Sequence, residues 1–414
     1  MLFMINKLKS YITFCLLIVG QIVLSQSNNL SSSPYSIYGL GNSNEVNTGK
    51  TNALGKTGIA MPSNTSINNL NPASFSTIPE KSFLFDIGIK AENETLFEDG
   101  KKETKYTANF SNIAIAFPIT KNSGFGATLI PFTNVGYEVL DIESEIDGST
   151  DTFLSNITGS GGLNNLNLNY GYAIDKKLRL GISGSVLFGN IDEEEIIYFE
   201  NNNIIITEQN HYSGFQFGAG FQYDWSNSFS FGSTVSFPTE LKGDQTKIFF
   251  EDGYTPIESN SGIDTFKLPL EIGLGIHTKI NESLFFNLDY KRSFWDATKQ
   301  SDSLGNYVDQ DFIGIGTEFI PNKNSFSYWK KINYRAGFNI DNGSLAIKDN
   351  RVSNYALNIG VGIPISPTHQ SMLNIGYSYG QKGQVSNGLI KENYHTLTFN
   401  ISLEGKWFQK RYID

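Results

Sequence analysis

The chain has 414 residues, with 41 acids against 31 Lys and Arg and a formal net charge of −10. That acidic balance excludes nucleic-acid binding, which depends on clustered Lys and Arg facing phosphates. The single cysteine, Cys15, excludes a disulfide framework and a Cys-ligated metal.

The amino terminus, MLFMINKLKS, carries Lys7 and Lys9 and no acid, and a mostly apolar run follows from Tyr11 to Ser25 before polar QSNNLSSS. This is the charged, apolar and small-residue order of a secretory signal peptide, so residues 1–25 are expected to be a leader cleaved near Ser25–Gln26. No later run is long and apolar enough for a spanning helix, so a place in a membrane demands a closed barrel. Residues 26–81 are turn-rich and irregular, through SSSPYSIYGLGNSN to Asn71-Pro72-Ala73.

From Ser82 onward the pattern alternates with period two, the signature of strands with one apolar and one polar face. Phe83, Phe85, Ile87 and Ile89 open it, and Ile113, Ile115 and Phe117 mark a second strand. A third runs from about Gly124 to Glu138 across Pro131, which removes a ladder donor and should bend the strand or open its pairing. Leu166, Leu168, Tyr170 and Tyr172 alternate with Asn165, Asn167, Asn169 and Gly171 in the fourth. The clearest hairpin lies between Phe266 and Trp295. There Leu268, Leu270, Ile272, Leu274 and Ile276 are expected on one face, and Leu284, Phe286, Leu288 and Tyr290 on the same side of the next strand. The last strand sets Leu397, Phe399, Ile401 and Leu403 against Thr396, Thr398, Asn400 and Ser402.

The pattern predicts an all-β fold, a transmembrane antiparallel barrel of about fourteen strands over residues 82–404. Connections alternate long (92–103, 139–162, 191–210, 239–266) and short (118–123, 174–177, 226–228, 279–283), with 322–331 the one longer member of the short class. Long outside loops and short inner turns fit a bacterial outer-membrane barrel with both termini in the periplasm. Outer-membrane lipid is then the expected surrounding partner. Residues 405–414 would be a short basic periplasmic tail carrying Lys406, Lys410 and Arg411.

Several stretches resemble the FadL-like family of fourteen-stranded outer-membrane barrels. Asn71-Pro72-Ala73 is similar to the family's amino-terminal hatch, and Ile130-Pro131-Phe132 to its kinked third strand. Leu268-Pro269, Gly273, Gly275, Asp289, Tyr290 and Trp295 resemble its central strand pair, and Tyr334-Arg335-Ala336-Gly337-Phe338 a later strand. The resemblance implies a lumen hatch over the segment 26–81. It also implies passive uptake of a hydrophobic small molecule that exits sideways at Pro131 and Phe132. Two features depart from the family: inward faces rich in Asn, Gln, Gly, Ser and Thr, and an ending, GKWFQKRYID, that continues past the last strand. That ending and the SPYSIYGLG opening resemble FadL-like accessory barrels of type IX secretion or barrel-assembly machines. The alternative function is therefore a non-transporting subunit that binds other outer-membrane proteins.

No catalytic chemistry is expected. His211, His277, His369 and His395 have no ligand spacing, and no G-x-S-x-G or H-E-x-x-H occurs. No cofactor or metal is expected. By parity Arg179, Asp224, Glu271, Asp289, Lys291 and Arg335 point inward, as a polar lumen network that braces the barrel or lines a route. The run Asp192-Glu193-Glu194-Glu195 reads as solvated acids in an outside loop.

Overall fold

The computed structural model describes residues 31–406 apart from 45–46, 99, 146–151, 199–202, 252, 302–304, 323–324, 367–369 and 387. The expected leader and all of the expected tail beyond Lys406 lie outside the described residues.

Fourteen antiparallel strands close into one barrel. The first two are Ser82–Glu98 and Lys101–Thr120. The third has two segments, Ser123–Pro131 and Thr133–Glu145. Thr152–Ala173, Leu178–Tyr198 and Asn203–Ser226 follow as the fourth to sixth. The seventh is divided into Phe229–Ser236 and Thr239–Glu251, and the eighth into Ile257–Leu268 and Glu271–Lys279. The ninth to eleventh are Leu284–Ser293, Gln310–Phe319 and Asn333–Asp341. Asn354–Pro364, Met372–Lys382 and Lys391–Lys406 complete the ring, and the last pairs back onto the first from Ser82↔Lys406 to Phe97↔Lys391.

The alternation sorts side chains as the period-two pattern predicts. Leu168, Ile182, Leu274, Ile315, Leu357 and Ile401 are all exposed outward, while Asn169, Gln222, Asn287, Asn339, Asn358 and Asn400 are buried inside. With the apolar residues facing out, lipid replaces the partner sheet that a soluble sandwich would need. The chain is a transmembrane β-barrel.

Two expectations need correction. The long connections are largely strand: the fourth, fifth and sixth strands continue in register to Leu154↔Tyr198 and Tyr198↔Asn203. Beyond the bilayer both faces of a hairpin meet water, so pairing persists where apolar alternation fades. The acids Asp192 to Glu195 accordingly sit within the fifth strand, where Gln209 Nε2 donates to Asp192 at 2.8 Å and the Tyr137 hydroxyl donates to Glu193. The second correction concerns Leu268. Pro269 and Leu270 interrupt the eighth strand, the side-chain parity changes across the break, and Leu268 points inward at 5% exposure while Ile272 and Leu274 face out.

The amino-terminal segment fills the lumen as a plug. It contains three short 3₁₀ turns, Pro34–Ile37, Gly49–Ala53 and Pro72–Thr77, and a two-residue strand, Asn42–Ser43. Leu54, Ile59, Ala60, Met61, Asn68, Asn71 and Phe75 are buried.

Candidate functional site: the plugged lumen

Asn71 anchors the centre of the plug. Its Oδ1 accepts from the Ala73 backbone N–H at 3.0 Å, capping the turn that Pro72 begins. Its Nδ2 donates to the Ile59 carbonyl at 2.8 Å and to the Phe221 carbonyl of the sixth strand at 3.1 Å. One amide thus ties two plug turns to the wall. Pro72 and Ala73 lie buried against the fourth and fifth strands.

The wall is shaped for this backbone. A Cβ added to Gly181 would lie 2.2 Å from the Ala73 nitrogen, and one on Gly220 would lie 2.2 Å from Asn71 Oδ1. Across the lumen, a Cβ on Gly316 would meet the Leu54 carbonyl at 2.3 Å and one on Gly337 the Gly55 nitrogen at 2.1 Å. Gly55 itself has φ +62°, and its own added Cβ would lie 2.4 Å from the Ile315 carbonyl, so only glycine fits there. The alternate glycines of the inward faces are a seat for the plug.

Charged groups fasten it further. Asp289 Oδ2 accepts from the backbone N–H groups of Gly58 at 2.6 Å and Ile59 at 2.9 Å. Gln222 Nε2 donates to the carbonyls of Ile59 and Met61 at 2.9 and 3.0 Å. Glu318 bridges plug and wall, pairing with Lys50 at 3.2 Å and Arg335 at 2.9 Å, while Arg335 Nη1 donates to Asn374 at 2.7 Å. Asp86 accepts from the Gly49 N–H at 3.2 Å and from Asn112, Asn400 and Ser402.

The residues expected to form one polar network are divided among separate clusters. Arg179 and Asp224 form a bidentate pair at 2.8 and 2.6 Å. Glu271 accepts from Ser293 at 3.0 Å, and Lys291 sits over the Phe312 ring at 4.6 Å. Asp289 serves the plug, and Arg335 serves Glu318. His277 bonds Asn287 at 2.7 Å. Glu318, Lys50, Gln222 and Asp86 were not singled out from sequence. The inward parity of Glu318, Gln222 and Asp86 was readable, but the plug residues they meet, Lys50 among them, lie 37 to 268 positions away in the chain.

At Phe132 the wall changes partners. The second strand pairs with the lower segment of the third only from Thr120↔Ser123 to Ile113↔Leu129. Above that, the upper segment pairs with the fourth strand, and Thr133 and Asn134 take Ser43 and Asn42 of the plug as partners. Asn44 Nδ2 donates to the Pro131 carbonyl at 2.8 Å, and its backbone N–H to Phe132 O at 2.9 Å. Across the divergence, Asn109 Nδ2 meets Asn134 Oδ1 at 3.4 Å and Lys105 meets Glu138 at 3.8 Å. A cavity of about 230 Å³ lies beside Phe132. Its lining combines apolar Leu40, Phe266, Leu268 and Trp295 with charged Lys90 and Glu92.

These features agree with what comparison with known proteins finds. The chain belongs to the BamG family, whose model matches residues 4–414. Among solved structures it is similar to the toluene transporter TbuX of Ralstonia pickettii, at 16% identity and a TM-score of 0.61 over 88% of this chain and 99% of that one. It is also similar to the toluene transporter TodX of P. putida (15%, TM-score 0.62, covering 88% and 100%). A Pseudomonas aeruginosa FadL homologue gives 13% identity and a TM-score of 0.60, covering 87% and 99%. At these identities the likeness establishes the FadL-like barrel fold. No curated protein matches the chain.

Proposed function

We propose that this barrel is a non-transporting accessory subunit of an outer-membrane barrel-assembly machine, with both termini in the periplasm. The observation that carries the reading is how extensively the plug is bonded to the wall. Backbone groups of the plug are hydrogen-bonded or packed against inward side chains from strands on opposite sides of the barrel, so a solute route would break many buried polar contacts at once. Membership of the BamG family along almost the whole chain supports the same reading. The test is purification of tagged protein in mild detergent, identifying bound proteins and extracting lipid. Stoichiometric recovery of other outer-membrane assembly proteins with no bound apolar ligand is expected. Recovery of a lone barrel carrying an apolar molecule would overturn the reading.

One observation favours a second reading, passive uptake of a hydrophobic small molecule. The cavity, lined in part by apolar residues, reaches Phe132, where the wall changes partners, which is where a lateral exit would open. Under that reading Asn71, Pro72 and Ala73 act as a hatch, and Pro131 and Phe132 frame the exit.

A further inference from the structure

The connection between the tenth and eleventh strands is the long exception among the short turns, and it presents an unusual surface. Phe326 is fully exposed at 107%, Trp329 at 72% and Tyr328 at 50%. Asn322 N–H donates to the Lys330 carbonyl at 2.8 Å, which closes the loop, and Tyr328–Lys331 forms a 3₁₀ turn. The loop is held on the outer side of the wall. The hydroxyl of Tyr334, a lipid-facing residue, donates to the Trp329 carbonyl at 3.4 Å, and Tyr328 OH donates to Pro364 O of the twelfth strand at 2.9 Å. Phe319, the cross-strand neighbour of Tyr334, and Ile365 continue the apolar surface at 46% and 50% exposure. Beside the aromatics stand Lys330 and Lys331, and neither has a carboxylate partner among the described residues.

We propose that residues 326–331 form a membrane foot that docks into the interface of the leaflet at the short-turn end, with Lys330 and Lys331 on anionic phospholipid headgroups. Three features select lipid as the occupant. The loop is continuous with the lipid-facing wall and is bonded to it by outward side chains. Tyr and Trp place apolar rings and polar edges where acyl chain meets headgroup. Unpaired lysines at that depth meet the phosphates of anionic lipids. The inference is independent of whether the barrel transports or assembles.

The test uses the refolded full barrel in vesicles of phosphatidylcholine with phosphatidylglycerol, compared with phosphatidylcholine alone. Subtracting the emission of the Trp329→Phe variant from that of wild type isolates Trp329. A blue-shifted difference spectrum, quenched by lipids brominated near the headgroup and shielded from aqueous acrylamide, is expected. In the anionic vesicles, Lys330→Gln with Lys331→Gln should move the docking equilibrium toward water by roughly fivefold per lysine. The same change should have little effect in phosphatidylcholine alone. Heat-modifiable migration on gels verifies that each variant folds. A difference spectrum centred at the water-exposed position and quenched by acrylamide but not by bromolipid would overturn the proposal. So would shielding of Trp329 that arises only when a partner protein is added.

Discussion

Glu318 joins the plug to the wall through buried ion pairs. It accepts from Lys50 on the plug and from Asn333 and Arg335 on the wall, with Glu318 6% and Arg335 1% exposed at their side chains. Neutralising a buried carboxylate that lies between two cations removes a balancing charge from each of them. Glu318→Gln should therefore cost about 3–5 kcal/mol, read as a lower midpoint in urea unfolding of the reconstituted barrel. Adding Lys50→Met to that variant should recover part of the loss by removing one of the two positive charges that Glu318 balanced. Tyr35 makes the corresponding contact at the other end of the plug. Its hydroxyl donates to the Ile390 carbonyl at 2.6 Å and accepts from the Ile390 N–H at 2.9 Å. Burial, followed by the charge of Glu392, raises its pKa above the ordinary 10.0. A raised pKa means that folding favours the neutral phenol. The stabilisation is complete below about pH 10 and is lost as pH rises through the raised value. Limited proteolysis of the plug between pH 9 and 12 should then show release that steepens above pH 10, and Tyr35→Phe should flatten that rise.

Among the elements, the third strand has the most distinctive behaviour, because it exchanges its neighbour partway up. Its lower segment belongs to the wall formed with the second strand, while its upper segment pairs with the plug strand Asn42–Ser43. If that divergence is an exit, locking it must block passage. The chain's only cysteine is Cys15, and Asn109 and Asn134 meet across the divergence at 3.4 Å, so Asn109→Cys with Asn134→Cys can be bridged by a short bis-methanethiosulfonate reagent. Bridging should abolish uptake of an apolar probe under the transport reading, and reduction should restore it. Under the assembly reading bridging should leave outer-membrane protein levels and co-purification unchanged. Pro131 made this break legible in the sequence, because a missing donor has one local consequence. Leu268 was misassigned for a related reason: Pro269 signalled an interruption, but not that side-chain parity would change across it. The strand count was readable because lipid-facing and lumen-facing residues must alternate. The height of the hairpins was not, since that constraint ends at the bilayer surface. The clusters around Glu318 and Asp289 were illegible because their partners belong to a segment with no periodicity. Only the inward glycines hinted that backbone would come close.

For the whole molecule, the barrel and the plug have different sources of stability. The wall is closed by backbone pairing, including the seam between first and last strands and interrupted above Leu129 between the second and third, and its outward face is solvated by lipid. The plug has little regular structure and depends on the wall for its partners, so the barrel should survive without it. Deleting residues 47–78 should leave a heat-modifiable barrel, because no ladder bond between barrel strands passes through those residues. It should also leave Asp289, Glu318 and Arg335 facing water that enters the emptied lumen, which replaces the lost hydrogen bonds. In planar bilayers the intact protein is expected to give no discrete current steps, and the deleted form to give steady open steps. A Gly181→Leu variant, whose side chain would collide with the Ala73 backbone, should lie between them with flickering openings as the plug is displaced. Steady conduction by the intact protein would mean that a continuous water path passes the plug, and the non-transporting reading would fail with it.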